Sequence, residues 1–178
     1  AGHWWDEYKN DVEQIFNSLQ LSEEVEPVNE IDFSAQYVRA GVEYTPFMPY
    51  TVIIRSRKQL EEYISRHAVD ANRDNSQYSD GTISFNMAAE KYTEEYFRTK
   101  QLILCMIEEP SGSIRHNVEK VILGNEDSLQ IYIKKDVPEW CTDDMATWHI
   151  FVETAVADVD NEDIEVFIDG ENKTHQAE

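Results

Sequence analysis

Residues 102–107 read Leu-Ile-Leu-Cys-Met-Ile, six apolar side chains in an unbroken row. Successive side chains of a strand point to opposite faces, so a run that is apolar on both parities must be covered on both faces. This hexapeptide therefore predicts a central strand, and the rest of the chain has to supply a layer on each side of it. Pro110-Ser111-Gly112 follows, a turn in which proline suits the early position and glycine supplies a positive φ at the close. Residues 114–123 then read as the returning strand, paired with 102–107 through that turn. Beyond a second turn at 124–127, Leu129, Ile131 and Ile133 alternate with Gln130, Tyr132 and Lys134 as a half-buried strand. A longer connection from Lys135 to Ala146 carries Pro138, Trp140 and Cys141. Trp148, Ile150 and Val152 begin another alternating strand, and Ile164, Val166 and Ile168 the last. Read in order, the second half is a β-meander.

The first half carries helical signals. Trp4, Trp5, Tyr8, Val12, Ile15, Phe16 and Leu19 recur at spacings of three and four, which predicts an amphipathic helix over 4–20. Residues 21–32 are acidic, contain Pro27 and read as a linker. A strand is expected over 33–42, then a turn at Pro46 and Pro49, then a β-branched strand over 50–55. Ser56 followed by Gln59 is a capping pair that should start a helix with Leu60, Tyr63, Ile64 and His67 on its inner face. Residues 70–82 hold almost nothing apolar and read as a loop, and 87–97 return to helical spacing. The expectation is an α+β fold, with an N-terminal amphipathic helix and two further helices packed on a mainly antiparallel sheet. Residues 1–32 form the helix and linker, 33–170 one α+β domain, and 171–178 a disordered polar tail.

The 178 residues are 41% hydrophobic and 11% aromatic, enough for a core without disulfide or metal. Thirty-six Asp and Glu against fifteen Lys and Arg give a formal net charge of −21. Such a surface repels nucleic-acid phosphate and anionic lipid while keeping the chain soluble, and it favours cationic partners. No apolar stretch approaches membrane-spanning length. The start at Ala1-Gly2-His3 leaves a removed signal peptide or lipid anchor open. Two cysteines, Cys105 and Cys141, lack CxxC spacing, although one disulfide between them stays open. Nucleotide, zinc-protease, serine-hydrolase and nucleic-acid motifs are missing.

Residues 97–153 carry a further pattern: a strand ending in Glu108-Glu109-Pro110-Ser111-Gly112-Ser113-Ile114-Arg115-His116, a second hairpin, then Val137-Pro138-Glu139, Asp144-Met145-Ala146 and Trp148-His149-Ile150. This resembles an uncharacterised group of bacterial secreted or lipid-anchored proteins. More distantly it is similar to the C-terminal domain of the bacterial protease-complex-subunit type, in which a hairpin with a small-residue turn precedes a strand and a Pro-containing crossover. The resemblance implies an extracytoplasmic, cell-envelope location and supplies no catalytic residues.

Candidate site residues cluster in the same region. Arg115 and His116 could read an anionic ligand, and Arg115 could instead pair with Glu108 across the hairpin. His116 shares parity with Ile114 and Val118 and should face inward. Trp140 and Trp148 bracket the crossover and could line a cleft. Cys141, with His116 or His149 as base and Asp144 as orienter, is a thiol-hydrolase arrangement on paper. Cys105, mid-strand, reads as a small core hydrophobe. Asp70, Asn72 and Asp74 open like a calcium loop, but Asn75 and Gly81 occupy the positions that need Gly and Glu. Asp158, Asp160, Glu162 and Asp163 read as a charged turn, and Trp4, Trp5 and Tyr8 as core or docking aromatics. No cofactor or metal is expected. The sequence therefore favours a non-catalytic interaction or ligand-binding module, its partner another protein or a small ligand. A thiol hydrolase and an acidic cation-responsive or mimic protein are the alternatives.

Overall fold

The computed structural model describes residues 29–40, 48–67, 81–124, 128–156 and 163–174. The expected helix over 4–20, its linker before residue 29, and the Asp70–Asp74 loop lie outside them.

The hexapeptide at 102–107 sits inside strand β4 (Lys100–Glu109), whose residues 101–107 are all buried. It is an interior strand of a four-stranded sheet ordered β2-β7-β4-β3, with β2 at Ser34–Ala40, β3 at Tyr50–Ile54 and β7 at Ala146–Ala155. All pairings in this sheet are antiparallel. A second sheet is ordered β1-β5-β6-β8-β9, with β1 at Asn29–Glu30, β5 at Arg115–Leu123, β6 at Leu129–Asp136, β8 at Ile164–Ile168 and β9 at Glu171–Asn172. Here β8 runs parallel to β6, and the other pairings are antiparallel.

The two parities of β4 account for the layers. Ile103, Cys105 and Ile107 pack with Val118, Ile131, Ile150 and Val166 in an apolar layer between the sheets. Leu102 and Leu104 face the other way, with Val38, Ile54 and Phe151, under the helices. Helix α1 (Arg57–Arg66) starts at Ser56, whose hydroxyl accepts from Gln59 N at 3.2 Å, while Gln59 Oε1 accepts from Arg55 N at 2.7 Å. This is the expected capping pair, reaching one residue further back. Leu60 and Tyr63 of α1 are buried against the sheet.

Several expectations are corrected. The fold is mostly β: two sheets face each other, and among the described residues only two α-helices cover one of them, so it is not an α+β packing of three helices on a sheet. The helix expected over 87–97 is the five-residue α2 (Phe85–Ala89), capped by Ser84 on Met87 N at 3.2 Å, followed by a 3₁₀ turn at Tyr96–Arg98. Thr93 Oγ1 accepts from Tyr96 N at 3.4 Å, a local side-chain bond of the kind that competes with helix continuation.

The β-meander is also replaced. β4 does not pair with β5 across Pro110–Gly112; its neighbours are β7 and β3, and the Pro-Ser-Gly segment carries the chain from one sheet to the other. Gly112 is needed for close approach rather than for a positive φ. A Cβ there would collide with the Arg39 guanidinium and lie 2.7 Å from Asp144 Oδ2. Past Gly170, in the segment expected to be a tail, β9 pairs with β8, and Lys173 N donates to Val166 O at 2.8 Å.

Candidate functional site

The layer between the sheets is apolar along most of its length and polar at one end. Inward parity continues from Ile107 to Glu109 on β4, from Val118 to His116 on β5, from Ile133 to Lys135 on β6 and from Ile150 to Trp148 on β7. A bulge at Val118–Lys120 shifts the register of β5, which lets both Val118 and Val121 face the core. His116 and Lys135 lie directly opposite in the β5–β6 register. Glu109 meets both from the facing sheet: its Oε1 accepts from His116 Nε2 at 2.9 Å and from Lys135 Nζ at 2.7 Å.

The Glu109 side chain is 1% exposed and that of His116 0%. Burial works to raise the Glu109 carboxyl, but the hydrogen bonds from His116 and Lys135 and their charge outweigh it, holding the group below the ordinary carboxylate range. An ionised Glu109 only accepts, so His116 Nε2 carries the proton. Nδ1 then offers a lone pair in the neutral ring and an N–H in the charged one.

That Nδ1 has no hydrogen-bond partner, and neither do the buried atoms Gln36 Oε1 and Trp148 Nε1. All three residues line one cavity of about 400 Å³ at the edge of β2, whose wall is completed by Tyr37, Gly81, Thr82, Ile83 and Arg115. Each unpartnered buried polar atom costs about 1–3 kcal/mol. The His116 ring meets Trp148 edge-on with centroids 5.7 Å apart, and the Arg115 guanidinium lies 5.0 Å from the Trp148 ring centroid. Arg115 Nη1 donates to Gly112 O at 2.6 Å. Tyr37 Oη accepts from Val118 N at 2.8 Å, tying β2 to β5. A second cavity of about 380 Å³, beside Pro49, Lys135 and Lys173, contains none of these unpartnered atoms in its wall.

Of the sequence candidates, the structure brings together Arg115, His116 and Trp148 and separates the others from them. The Arg115 guanidinium lies against the Trp148 ring and donates to the Gly112 and Ile114 carbonyls. His149 is on the opposite face of β7, buried among Tyr63 and Phe85, with Nδ1 3.0 Å from Tyr63 Oη. Trp140 is 85% exposed and is in the wall of neither cavity described above. Cys141 is exposed and free, and its thiol donates to Pro138 O at 3.6 Å rather than to a histidine. Asp144 pairs with Arg39. The nucleophile, base and orienter are therefore not assembled. Cys105 is also free and fully buried, and burial pushes its thiol up to about 12. Among the described residues no group of three metal-ligating side chains converges, and no helix is long and apolar enough to cross a membrane.

Glu109, Lys135, Gln36 and the Gly81–Ile83 segment were not among the sequence candidates. For Lys135 a signal existed: it is a charged residue at the inward parity where an alternating strand ends, whereas Glu109 follows a run apolar on both parities and carries none. Comparison with known proteins finds no matching family, no similar curated protein and no similar solved structure.

Proposed function

We propose that the protein is a non-catalytic binding module whose site is the cavity walled by Gln36, Arg115, His116 and Trp148. One observation carries this reading: three residues that each hold a buried polar atom without a partner line a single cavity. Natural structures leave few such atoms, and a ligand that satisfied them would recover their cost. The set offers an acceptor, Gln36 Oε1, a neutral donor, Trp148 Nε1, and His116 Nδ1, which accepts in the neutral ring and donates in the charged one. That mixture suits a small uncharged molecule bearing hydroxyl or amide groups, of monosaccharide size, better than a simple oxyanion. The chain's charge of −21 also disfavours anions at long range. Because the three atoms are closed to solvent, binding requires side chains of the cavity wall to shift. The proposed setting, a bacterial cell envelope, rests on the resemblance of residues 97–153 and is tested by fractionating cells that express the chain.

The reading is tested by thermal melts with glucose, N-acetylglucosamine and acetamide as probes and acetate and phosphate as controls. A ligand at ten times its Kd stabilises the native state by about 1.4 kcal/mol. For a chain of this size that is about 3–6 °C in Tm. The expected result is such a rise with at least one neutral probe, lost in Trp148→Phe, which keeps an aromatic ring and removes the donor. A rise with acetate or phosphate alone overturns the neutral-ligand class. No rise with any probe overturns the small-molecule reading.

A further inference from the structure

Among the described residues, three large hydrophobic side chains are exposed, and all lie on the β6–β7 connection: Val137 at 58%, Trp140 at 85% and Met145 at 51%. Single exposed hydrophobics are ordinary, but a tryptophan left almost wholly in water beside two others on one short segment is not. The segment is also tied to the β4–β5 link. Thr142 Oγ1 lies 3.0 Å from Ser111 Oγ and 2.7 Å from Ser113 Oγ, and Thr142 N donates to Ser113 Oγ at 3.1 Å. Gly112 N donates to Asp144 O at 2.8 Å, and Asp144 pairs with Arg39. These bonds pre-order the connection, so its apolar side chains are presented at little further entropic cost on binding.

Charge identifies the occupant. Asp136, Glu139 and Asp143 are exposed on the same stretch, and residues 136–145 contain no Lys or Arg. A second copy, anionic lipid or nucleic acid would bring like charge to this surface. We propose that the β6–β7 connection, residues 137–145, is a docking surface for a polypeptide segment that carries both Lys or Arg and large aliphatic or aromatic side chains. Trp140 supplies the central anchor, tryptophan being among the residues enriched in binding hot spots, and the three acidic groups steer the approach. This surface is independent of the cavity, since none of its exposed apolar residues lines it.

The test uses the full chain and a fluorescein-labelled peptide of alternating Lys and Leu. Oligolysine, an alternating Glu and Leu peptide, and zwitterionic phosphatidylcholine vesicles serve as comparators. The Lys-Leu peptide is expected to raise fluorescence anisotropy, with binding weakened at least tenfold by W140A/M145A and again by 0.5 M NaCl. The variant's Tm should match the parent, because both side chains are solvent-exposed. Equal binding of oligolysine, or binding unchanged in W140A/M145A, overturns the proposal by showing that diffuse charge suffices. Binding to the vesicles that requires Trp140, or a Trp140-dependent dimer in sedimentation velocity, overturns it in favour of a membrane or a second copy. No binding of the Lys-Leu peptide overturns it as well.

Discussion

Replacing Glu109 by alanine isolates the polar end of the inter-sheet layer. The carboxylate is 1% exposed and accepts two charge-assisted bonds, at 2.9 Å from His116 and 2.7 Å from Lys135. Removing one member of a buried pair costs about 3–5 kcal/mol when the remaining charge stays buried. Here Lys135 is 26% exposed and can turn toward water, which lowers the cost, whereas His116 at 0% cannot. The expected loss is therefore at the lower end, about 3 kcal/mol, or about 6–12 °C in Tm at pH 7. Glu109→Gln keeps the volume and an acceptor for His116 Nε2 but loses the charge opposite Lys135, and should cost about half as much. The pH dependence gives the sharper check. The folded Glu109 titrates below its unfolded value of about 4.3, so its contribution is fully present above that pH and is lost as pH falls through the folded value. Urea titrations of parent and alanine variant from pH 7 to pH 3 should show a stability gap that narrows as the acid end is reached. A gap that stays constant or widens would refute the assignment of an ionised, doubly bonded Glu109.

Gly112→Ala should drive the Arg39 guanidinium away from Asp144 and loosen the link between β4 and β5, costing about 1–2 kcal/mol in chemical denaturation. Iodoacetamide should modify the exposed Cys141 in the folded protein. Cys105, fully buried and with its thiol raised to about 12, should react only on unfolding, so mass spectrometry of native protein should show one adduct. Leu104→Ala, beneath the helices in a fully buried position, should cost about 2–5 kcal/mol in the same denaturation assay. A loss below about 1 kcal/mol would contradict close packing of that layer.

Hydrophobic alternation identified the strands at 34–40, 129–136 and 164–168, β-branched composition the one at 50–54, and the two-faced run at 102–107 the interior strand with a layer on each side. It could not say which strands join which sheet. Period-2 patterning assigns a residue to a face, and β4 is equally satisfied by β5 or β7 as neighbour. The Pro-Ser-Gly segment looked like a hairpin because short turns and short crossovers use the same residues. What decides between them is the Ser111–Thr142 and Gly112–Asp144 bonding, formed with residues about thirty positions away. The helix over 87–97 was over-read because Ser84 caps a helix that starts earlier, at Phe85, and Thr93 competes locally for a backbone donor.

The site was visible in the same partial way. The inward parity of His116 follows from Ile114 and Val118, and the structure buries it. That Glu109 would meet it from the other sheet depended on the sheet assignment that the sequence left open. Trp140 and Trp148 were grouped because they flank one connection. They part because Trp148 is on an inward position of β7 while Trp140 sits on the exposed crossover. Gln36 and the Gly81–Ile83 segment reach the cavity through tertiary packing alone and carry no local signal.

The cavity is tested most directly by its own indole proton. In a ¹H–¹⁵N spectrum, the Trp148 Nε1–H signal, assigned by its disappearance in Trp148→Phe, should shift progressively on titration with the neutral probe that raises Tm. The exposed Trp140 signal should stay in place. An unmoved Trp148 signal in the presence of that stabilising probe would contradict binding at this site.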